Sequence, residues 1–197
     1  MKNIHTKAIA AVFGLLSFGA QAASSLTFQG VTFASQAVDA DTLEFSILNA
    51  NNATGDWSGA SFLKAFEIKG LGTEVSSATL ISGPGVAAPS FGSVTSGINA
   101  NAGCRSGGTP GACFSFGTPL ALTSSMTWRI DFTAAAPLVF DTPHIKVQFL
   151  DSLGDKKKMG ELLSKDLVVS AVPEPETYAL LLAGLGLVGA AMRKRKA

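Results

Sequence analysis

The chain has 197 residues, of which 47% are hydrophobic and only 15% are charged, and its formal net charge is +1. Six of the 15 basic residues and two of the 14 acidic residues lie near the two ends, which leaves nine basic and 12 acidic residues between them. A central region with a small acidic excess has no basic surplus with which to neutralise a phosphate backbone, which argues against nucleic-acid binding.

Residues 1–22 predict a secretory signal peptide. An apolar stretch, residues 8–20, follows two lysines, and Ala20-Gln21-Ala22 supplies small residues at the cleavage positions. At about 1.5 Å per residue, this stretch is too short to cross a hydrocarbon core about 30 Å thick. We therefore expect cleavage after this tripeptide and export of residues 23–171, here called the body.

The body predicts β-strands separated by turns. Alternation of apolar and polar side chains, typical of strands with one buried face, marks the clearest of them. The candidate strands are 26–33, with a tight turn or bulge at Gly30, then 43–47, 62–69, 75–81, 128–132, 145–149 and 162–169. A turn at residues 151–155 joins the last two into a hairpin. The sequence therefore predicts an all-β fold, a single antiparallel β-sandwich with a jelly-roll-like topology as one alternative.

A long region rich in Gly, Ser and Pro, residues 83–111, predicts a loop. Cys104 and Cys113 are the only cysteines, and export takes them to an oxidising compartment. The residues between them favour turns, so the chain can fold back and join the two sulfurs. A zinc site would need more ligands, yet His144 is the only histidine of the body. We predict a structural disulfide, with a reactive thiol pair as the alternative.

Two tryptophans have different predicted roles. Trp128 lies on the apolar side of its strand, which indicates a place in the core. Trp57 lies in a polar loop, residues 49–59, beside Asn52 and Asp56. An exposed indole beside such side chains is suited to stack on a sugar ring while its neighbours bond hydroxyl groups. The alternative is an indole folded back onto the sandwich.

The body shows no recognisable catalytic motif. Its carboxylates, Glu67 among them, do not form a marked pair for glycoside hydrolysis, and solvated strand faces explain most of them. No Gly-x-Ser-x-Gly elbow is present, and His144 has no marked partner. Asp39-Ala-Asp41 and residues 151–155 offer oxygen ligands for calcium, although neither has the ligand order of an EF-hand. We predict no enzyme, no catalytic residue and no cofactor, with calcium as the one candidate ion.

The last 26 residues, 172–197, form a separate tail with three ordered parts. Its prolines keep the first part extended, and Thr177 can cap the uncharged helix predicted at residues 178–192, which is marginal in length for a membrane span. The basic end stays in the cytoplasm under the positive-inside rule, which places the body outside. The first part is Val172, Pro173, Glu174, Pro175, Glu176 and Thr177, and the last is Arg193, Lys194, Arg195 and Lys196.

On these residues the tail resembles the PEP-CTERM sorting signal of Gram-negative bacteria. The resemblance is limited to residues 172–197. It implies that an exosortase, a membrane cysteine transpeptidase, recognises the Pro-Glu-Pro motif. It also implies an association with exopolysaccharide and with biofilm or floc formation. On this basis we expect transient anchoring in the cytoplasmic membrane, followed by display at the cell surface or secretion.

Three functions are compatible with the sequence. The first is a non-enzymatic envelope or extracellular-matrix protein that an exosortase sorts alongside exopolysaccharide. The second is a carbohydrate-binding module in which Trp57, Asn52 and Asp56 contact a glycan. The third is an extracellular hydrolase whose active site is assembled from residues far apart in the chain.

Overall fold

The computed structural model describes residues 23–87, 90–99, 103–105, 111–154, 159–160, 163–169 and 182–185. The strands lie in one compact unit. They are β1 (Ala23–Phe28), β2 (Val31–Ala37), β3 (Thr42–Leu48), β4 (Phe62–Lys69), β5 (Val75–Ser82), β6 (Ser90–Phe91), β7 (Gly97–Asn99), β8 (Gly103–Arg105), β9 (Ala112–Ala121), β10 (Ser125–Ala134), β11 (His144–Leu150), β12 (Leu163–Asp166) and β13 (Val168–Val169). Two short 3₁₀ turns, Ala50–Asn52 and Gly55–Trp57, lie between β3 and β4.

The strands form two main sheets and one small one. The larger sheet has the order β13-β1-β2-β3-β10-β5-β6, the second has the order β12-β11-β4-β9, and β7 pairs with β8 alone. The pairings within all three sheets are antiparallel. The buried faces of both main sheets contribute to one hydrophobic core. The predicted all-β, antiparallel sandwich is confirmed.

Aromatic side chains from the two main sheets meet in this core. Phe45 on β3 lies with its ring centroid 5.1 Å from that of Phe66 on β4, and Phe66 lies 4.9 Å from Trp128 on β10. Each of these side chains is fully buried. Trp128 also donates its indole N–H to the carbonyl of Pro84 at 2.9 Å, which satisfies its one polar group. The predicted core position of Trp128 is confirmed.

A two-residue turn connects β1 and β2. Gln29 and Gly30 both have positive φ, 47° and 80°, as a type I′ hairpin turn requires. This turn accounts for the change in apolar parity that the sequence shows at Gly30. The Gln29 side chain is then placed to accept a hydrogen bond from the backbone N–H of Trp57 at 3.0 Å. The hairpin turn thereby supports the loop that carries the tryptophan.

Several connections pass from one main sheet to the other, including β3 to β4, β4 to β5 and β10 to β11. As a result, β10 lies between β3 and β5 although it follows β9 in the chain. Crossing connections of this kind occur in Greek-key sandwiches and jelly rolls. Strands β1, β2 and β3, however, stay together as a meander in one sheet. The jelly-roll description therefore stays an alternative.

The region predicted as a long loop, residues 83–111, contains three short strands, so this part of the prediction was wrong. Strand β6 extends the larger sheet beside β5, and β7 with β8 forms a small hairpin. We call the paired strands β7 and β8 the hairpin cover, because they contact β4 and β9 of the second sheet. Strands of two or three residues are too short to show an alternating pattern.

Candidate functional site

Beneath the hairpin cover lies a buried carboxylate that the sequence did not predict. Glu67 on β4 is fully buried, and its Oε2 accepts a hydrogen bond from the backbone N–H of Ile98 at 2.9 Å. The ammonium of Lys146 lies 3.6 Å from the same oxygen. A buried charge requires such partners, because leaving it unpaired costs several kcal/mol, of order 3–5 in cases where one partner is removed. Glu67 therefore holds the hairpin cover in place and does not lie on a solvated strand face.

The predicted disulfide is confirmed and joins the hairpin cover to β9. Cys104 and Cys113 are bonded, with their Cα atoms 5.7 Å apart, so the alternative of a reactive thiol pair is wrong. Gln148, also fully buried, accepts a hydrogen bond from the backbone N–H of Gly103 at 3.0 Å. A disulfide across so short a loop stabilises a fold by roughly 2–3 kcal/mol in the loop-entropy model. Glu67, Gln148 and the disulfide together fix the cover on the second sheet.

Trp57, the predicted sugar-stacking residue, lies inside the core. Only 1% of its surface is exposed. Its ring centroid lies 5.3 Å from that of Phe28, 6.0 Å from that of Phe33 and 5.0 Å from that of Phe149, in each case edge to face. The two phenylalanines of β1 and β2 and the one of β11 cover the indole from both main sheets. This burial confirms the alternative, an indole folded back onto the sandwich, and corrects the proposed glycan contact of Trp57, because no ring face is open to a sugar.

The two polar neighbours of Trp57 remain at the surface. Asn52 and Asp56 are both exposed. The Asn52 amide donates to the Asn49 side-chain oxygen at 2.9 Å, a contact within the loop. A role for Asn52 and Asp56 in glycan contact stays a prediction, now without the aromatic surface that motivated it.

His144 has two side-chain partners that the sequence did not reveal. Its Nδ1 lies 2.7 Å from Oδ1 of Asp166, and its Nε2 lies 3.0 Å from Oγ of Ser164. Both partners belong to β12, which pairs with β11 so that His144 lies directly opposite Asp166. The imidazole thus lies between a serine hydroxyl and an aspartate carboxylate, and this arrangement and its distances resemble those of a serine hydrolase triad. The Asp166 side chain, however, is 71% exposed, whereas a triad aspartate is buried. The arrangement is better described as a clasp between two strands.

The calcium candidate at Asp39 has a structural explanation. Oδ1 of Asp39 accepts hydrogen bonds from the backbone N–H groups of Asp41 at 3.0 Å and Thr42 at 2.8 Å. The bonds from Asp41 and then Thr42 lower the pKa of the Asp39 carboxyl, because they stabilise its charged form. In the described ranges, no group of three or more His, Cys, Asp or Glu is arranged to hold a metal. Asp155, in the second candidate, lies outside the described residues, and calcium binding stays a prediction.

The predicted signal peptide and sorting motif, residues 1–22 and 172–177, lie outside the described residues, as does the basic end, 193–196. Of the helix predicted at 178–192, residues 182–185 are described and are helical. Within the portion of the chain that the structure covers, no helix has the length and apolar character needed to cross a membrane. The last described strand is close to the tail in sequence, because Val169 in β13 precedes Pro173 by only four positions.

Comparison with protein families identifies the tail. Residues 171–196 match the family model of the PEP-CTERM protein-sorting motif. The resemblance noted in the sequence is confirmed, and the motif indicates an exported protein that an exosortase sorts and processes. Comparisons with curated proteins and with solved structures give no match. The match covers the tail alone, so it indicates the route of the protein and leaves the activity of the body to be inferred from its surface.

Proposed function

We propose that the body is a non-enzymatic protein of the extracellular matrix, retained with exopolysaccharide after exosortase processing. The observation that carries this proposal is that a sorting motif follows a β-sandwich closed by a disulfide. In this sandwich, three polar side chains that were candidates for chemistry instead make structural contacts. Glu67 holds the hairpin cover, His144 joins β11 to β12, and Asp39 closes a turn. These contacts suit a durable scaffold more than a reactive site.

The outer face of the larger sheet is the surface best suited to contact a polysaccharide. Its side chains include short hydroxyls in cross-strand pairs: Thr27 and Thr32 lie 2.8 Å apart, and so do Ser46 and Thr127. The exposed Thr133 continues this face on β10. Threonine is stiff at χ1, so little side-chain entropy is lost when its hydroxyl bonds a sugar or a bridging water. We call Thr27, Thr32, Ser46, Thr127 and Thr133 the hydroxyl face.

The proposal predicts that the secreted protein sediments with exopolysaccharide from the producing cells, and that the hydroxyl face contributes to this binding. The triple variant Thr32→Val, Thr127→Val, Thr133→Val keeps side-chain shape and removes three hydroxyls. We expect it to need at least about tenfold more polymer for half-retention, since three lost hydrogen bonds at about 0.5 kcal/mol or more each sum to about 1.5 kcal/mol or more. Retention would be measured by co-sedimentation over a polymer titration.

A matched control is Ser164→Ala, which removes a hydroxyl on the second sheet and should leave retention unchanged. Equal retention of the triple variant and the wild type would exclude the hydroxyl face as the contact surface. If the wild-type protein were not retained at any polymer concentration that can be sedimented, the matrix proposal itself would be contradicted. Tight binding of one short oligosaccharide would favour the carbohydrate-binding alternative over a matrix protein with many weak contacts.

The hydrolase alternative has a direct test, because the His144 clasp contains a serine. A fluorophosphonate probe labels a serine whose hydroxyl is activated by a neighbouring base. We expect no labelling of Ser164 above the level of the Ser164→Ala variant, because the exposed Asp166 is screened by water. Labelling at Ser164 that disappears in His144→Ala would show an activated nucleophile and overturn the non-enzymatic assignment.

A further inference from the structure

The C-terminal strand β13 is weakly attached to the fold. Val169 and Val168 pair with Ser24 and Ser25 of β1, and β13 forms the edge of the larger sheet. The side chains of the two valines stay 37% and 63% exposed. A strand with two paired residues and little buried apolar surface is the kind of segment that opens locally without unfolding the domain.

The segment just before β13 is held much more firmly. Leu163 and Leu167 are buried in the core, at 1% and 0% exposure. Leu167 also donates its backbone N–H to the carbonyl of Pro143 at 2.9 Å. The clasp from His144 to Asp166 holds β12 from its outer face. A pull on the C-terminal end therefore releases β13 first, and the buried Leu167 resists further opening.

The distance from β13 to the sorting motif is short. Three residues separate Val169 from Pro173, and a fully extended chain of that length spans about 10 Å. Release of β13 leaves five residues between Leu167 and Pro173, which span about 17 Å. A domain of this size has a radius of gyration of about 15 Å. With β13 paired, the motif therefore stays within less than one domain radius of its attachment point.

We infer that the segment presented to the exosortase begins at Val168, so that β13 leaves β1 when the enzyme binds the motif. This inference rests on exosortase processing of the tail and adds a requirement in the body, namely that β13 opens to lengthen the chain before the Pro-Glu-Pro motif. Release of Val168 and Val169 extends the span between the firmly held Leu167 and the motif to about 17 Å, so the motif reaches the enzyme at a greater distance from the folded body.

A cross-strand disulfide tests the inference in the full-length precursor. Ser24 and Val169 are direct partners in an antiparallel pair, where Cα atoms lie about 4.5–5.5 Å apart, within the range that a disulfide bridges. The double variant Ser24→Cys, Val169→Cys locks β13 to β1. In cells that process the wild-type precursor, we expect the locked precursor to be processed at least about tenfold more slowly in a pulse-chase measurement.

The matched control is Thr79→Cys, Asp131→Cys, which locks β5 to β10 through another pair of direct partners and leaves β13 free. It should be processed at the wild-type rate. Inserting six Gly and Ser residues after Val169 in the locked precursor should restore processing, because it lengthens the reach without opening β13. Wild-type processing of the locked precursor, or failure of the insertion to restore it, would overturn the inference.

Discussion

Replacing Trp57 by alanine is expected to lower the free energy of unfolding by about 3–5 kcal/mol, as other large-to-alanine core changes do. The reason is the position of the indole among three phenylalanines from both main sheets, where its removal leaves a cavity that rigid neighbouring strands close only in part. Urea unfolding of the secreted protein, followed by circular dichroism, measures this change. The expected loss is a large fraction of the stability of an ordinary domain, which is about 5–15 kcal/mol.

The neighbouring residue provides the control for Trp57. Asp56→Ala alters an exposed side chain in the same 3₁₀ turn and should change stability by less than about 0.5 kcal/mol. Trp57→Phe should fall between the two, since it keeps an aromatic ring in the cluster. A Trp57→Ala protein as stable as the wild type would show that the indole lies outside the core, and the sugar-stacking hypothesis would then regain its basis.

The same prediction affects how binding experiments are interpreted. Loss of polymer retention in Trp57→Ala does not identify a contact with sugar, because the variant is expected to populate unfolded chains. The hydroxyl-face substitutions avoid this difficulty, since Thr32, Thr127 and Thr133 lie outside the core. A glycan contact would therefore be located with the threonine variants, and Trp57 would serve as the stability control.

The strands with one solvent-exposed face could be predicted from the sequence, because the alternation of apolar and polar residues that marks them is a local pattern. In β3, Leu43, Phe45 and Ile47 are fully buried while the residues between them are not. The same alternation placed Trp128 correctly in β10. Period-two patterning depends only on neighbouring residues, so it survives without knowledge of the tertiary fold.

Features that depend on distant parts of the chain could not be predicted in this way. Glu67 is buried because the backbone of Ile98, 31 positions away, covers it. Trp57 is buried because Phe149, from the other end of the body, packs against its ring. His144 meets Ser164 and Asp166 only through the pairing of β11 with β12. Each is a long-range contact, so the residues that neighbour Glu67, Trp57 and His144 in the sequence do not specify it.

The first and last strands of the body, β1 and β13, pair with each other in the larger sheet. Strand β1 begins at Ala23, the residue after the predicted signal-peptide cleavage position, and its Ser24 pairs with Val169 near the end of the body. The Ser24 hydroxyl also donates to the carbonyl of Asp141. The chain therefore enters and leaves the larger sheet on adjacent strands.

Replacing Pro173 and Pro175 together by alanine is expected to abolish processing of the tail and leave a precursor that is retained in the membrane fraction. Proline restricts both its own φ and the conformation of the preceding residue, so the wild-type motif stays extended and accessible to the exosortase. Alanine instead favours helix, with a difference from proline of about 3 kcal/mol per residue in a helix interior. The double variant allows the helix predicted at residues 178–192 to extend backward through the motif.

Cell fractionation followed by mass spectrometry of the body would measure this effect, since the processed protein lacks the tail and the precursor keeps it. Pro137→Ala is the matched control, because Pro137 is exposed in a loop of the body and is not part of the tail. It should be processed and released like the wild type. Normal processing of the double variant would show that the exosortase does not depend on the Pro-Glu-Pro backbone. Recognition would then have to rest on the apolar stretch and the basic cluster at residues 193–196, which the variant leaves unchanged.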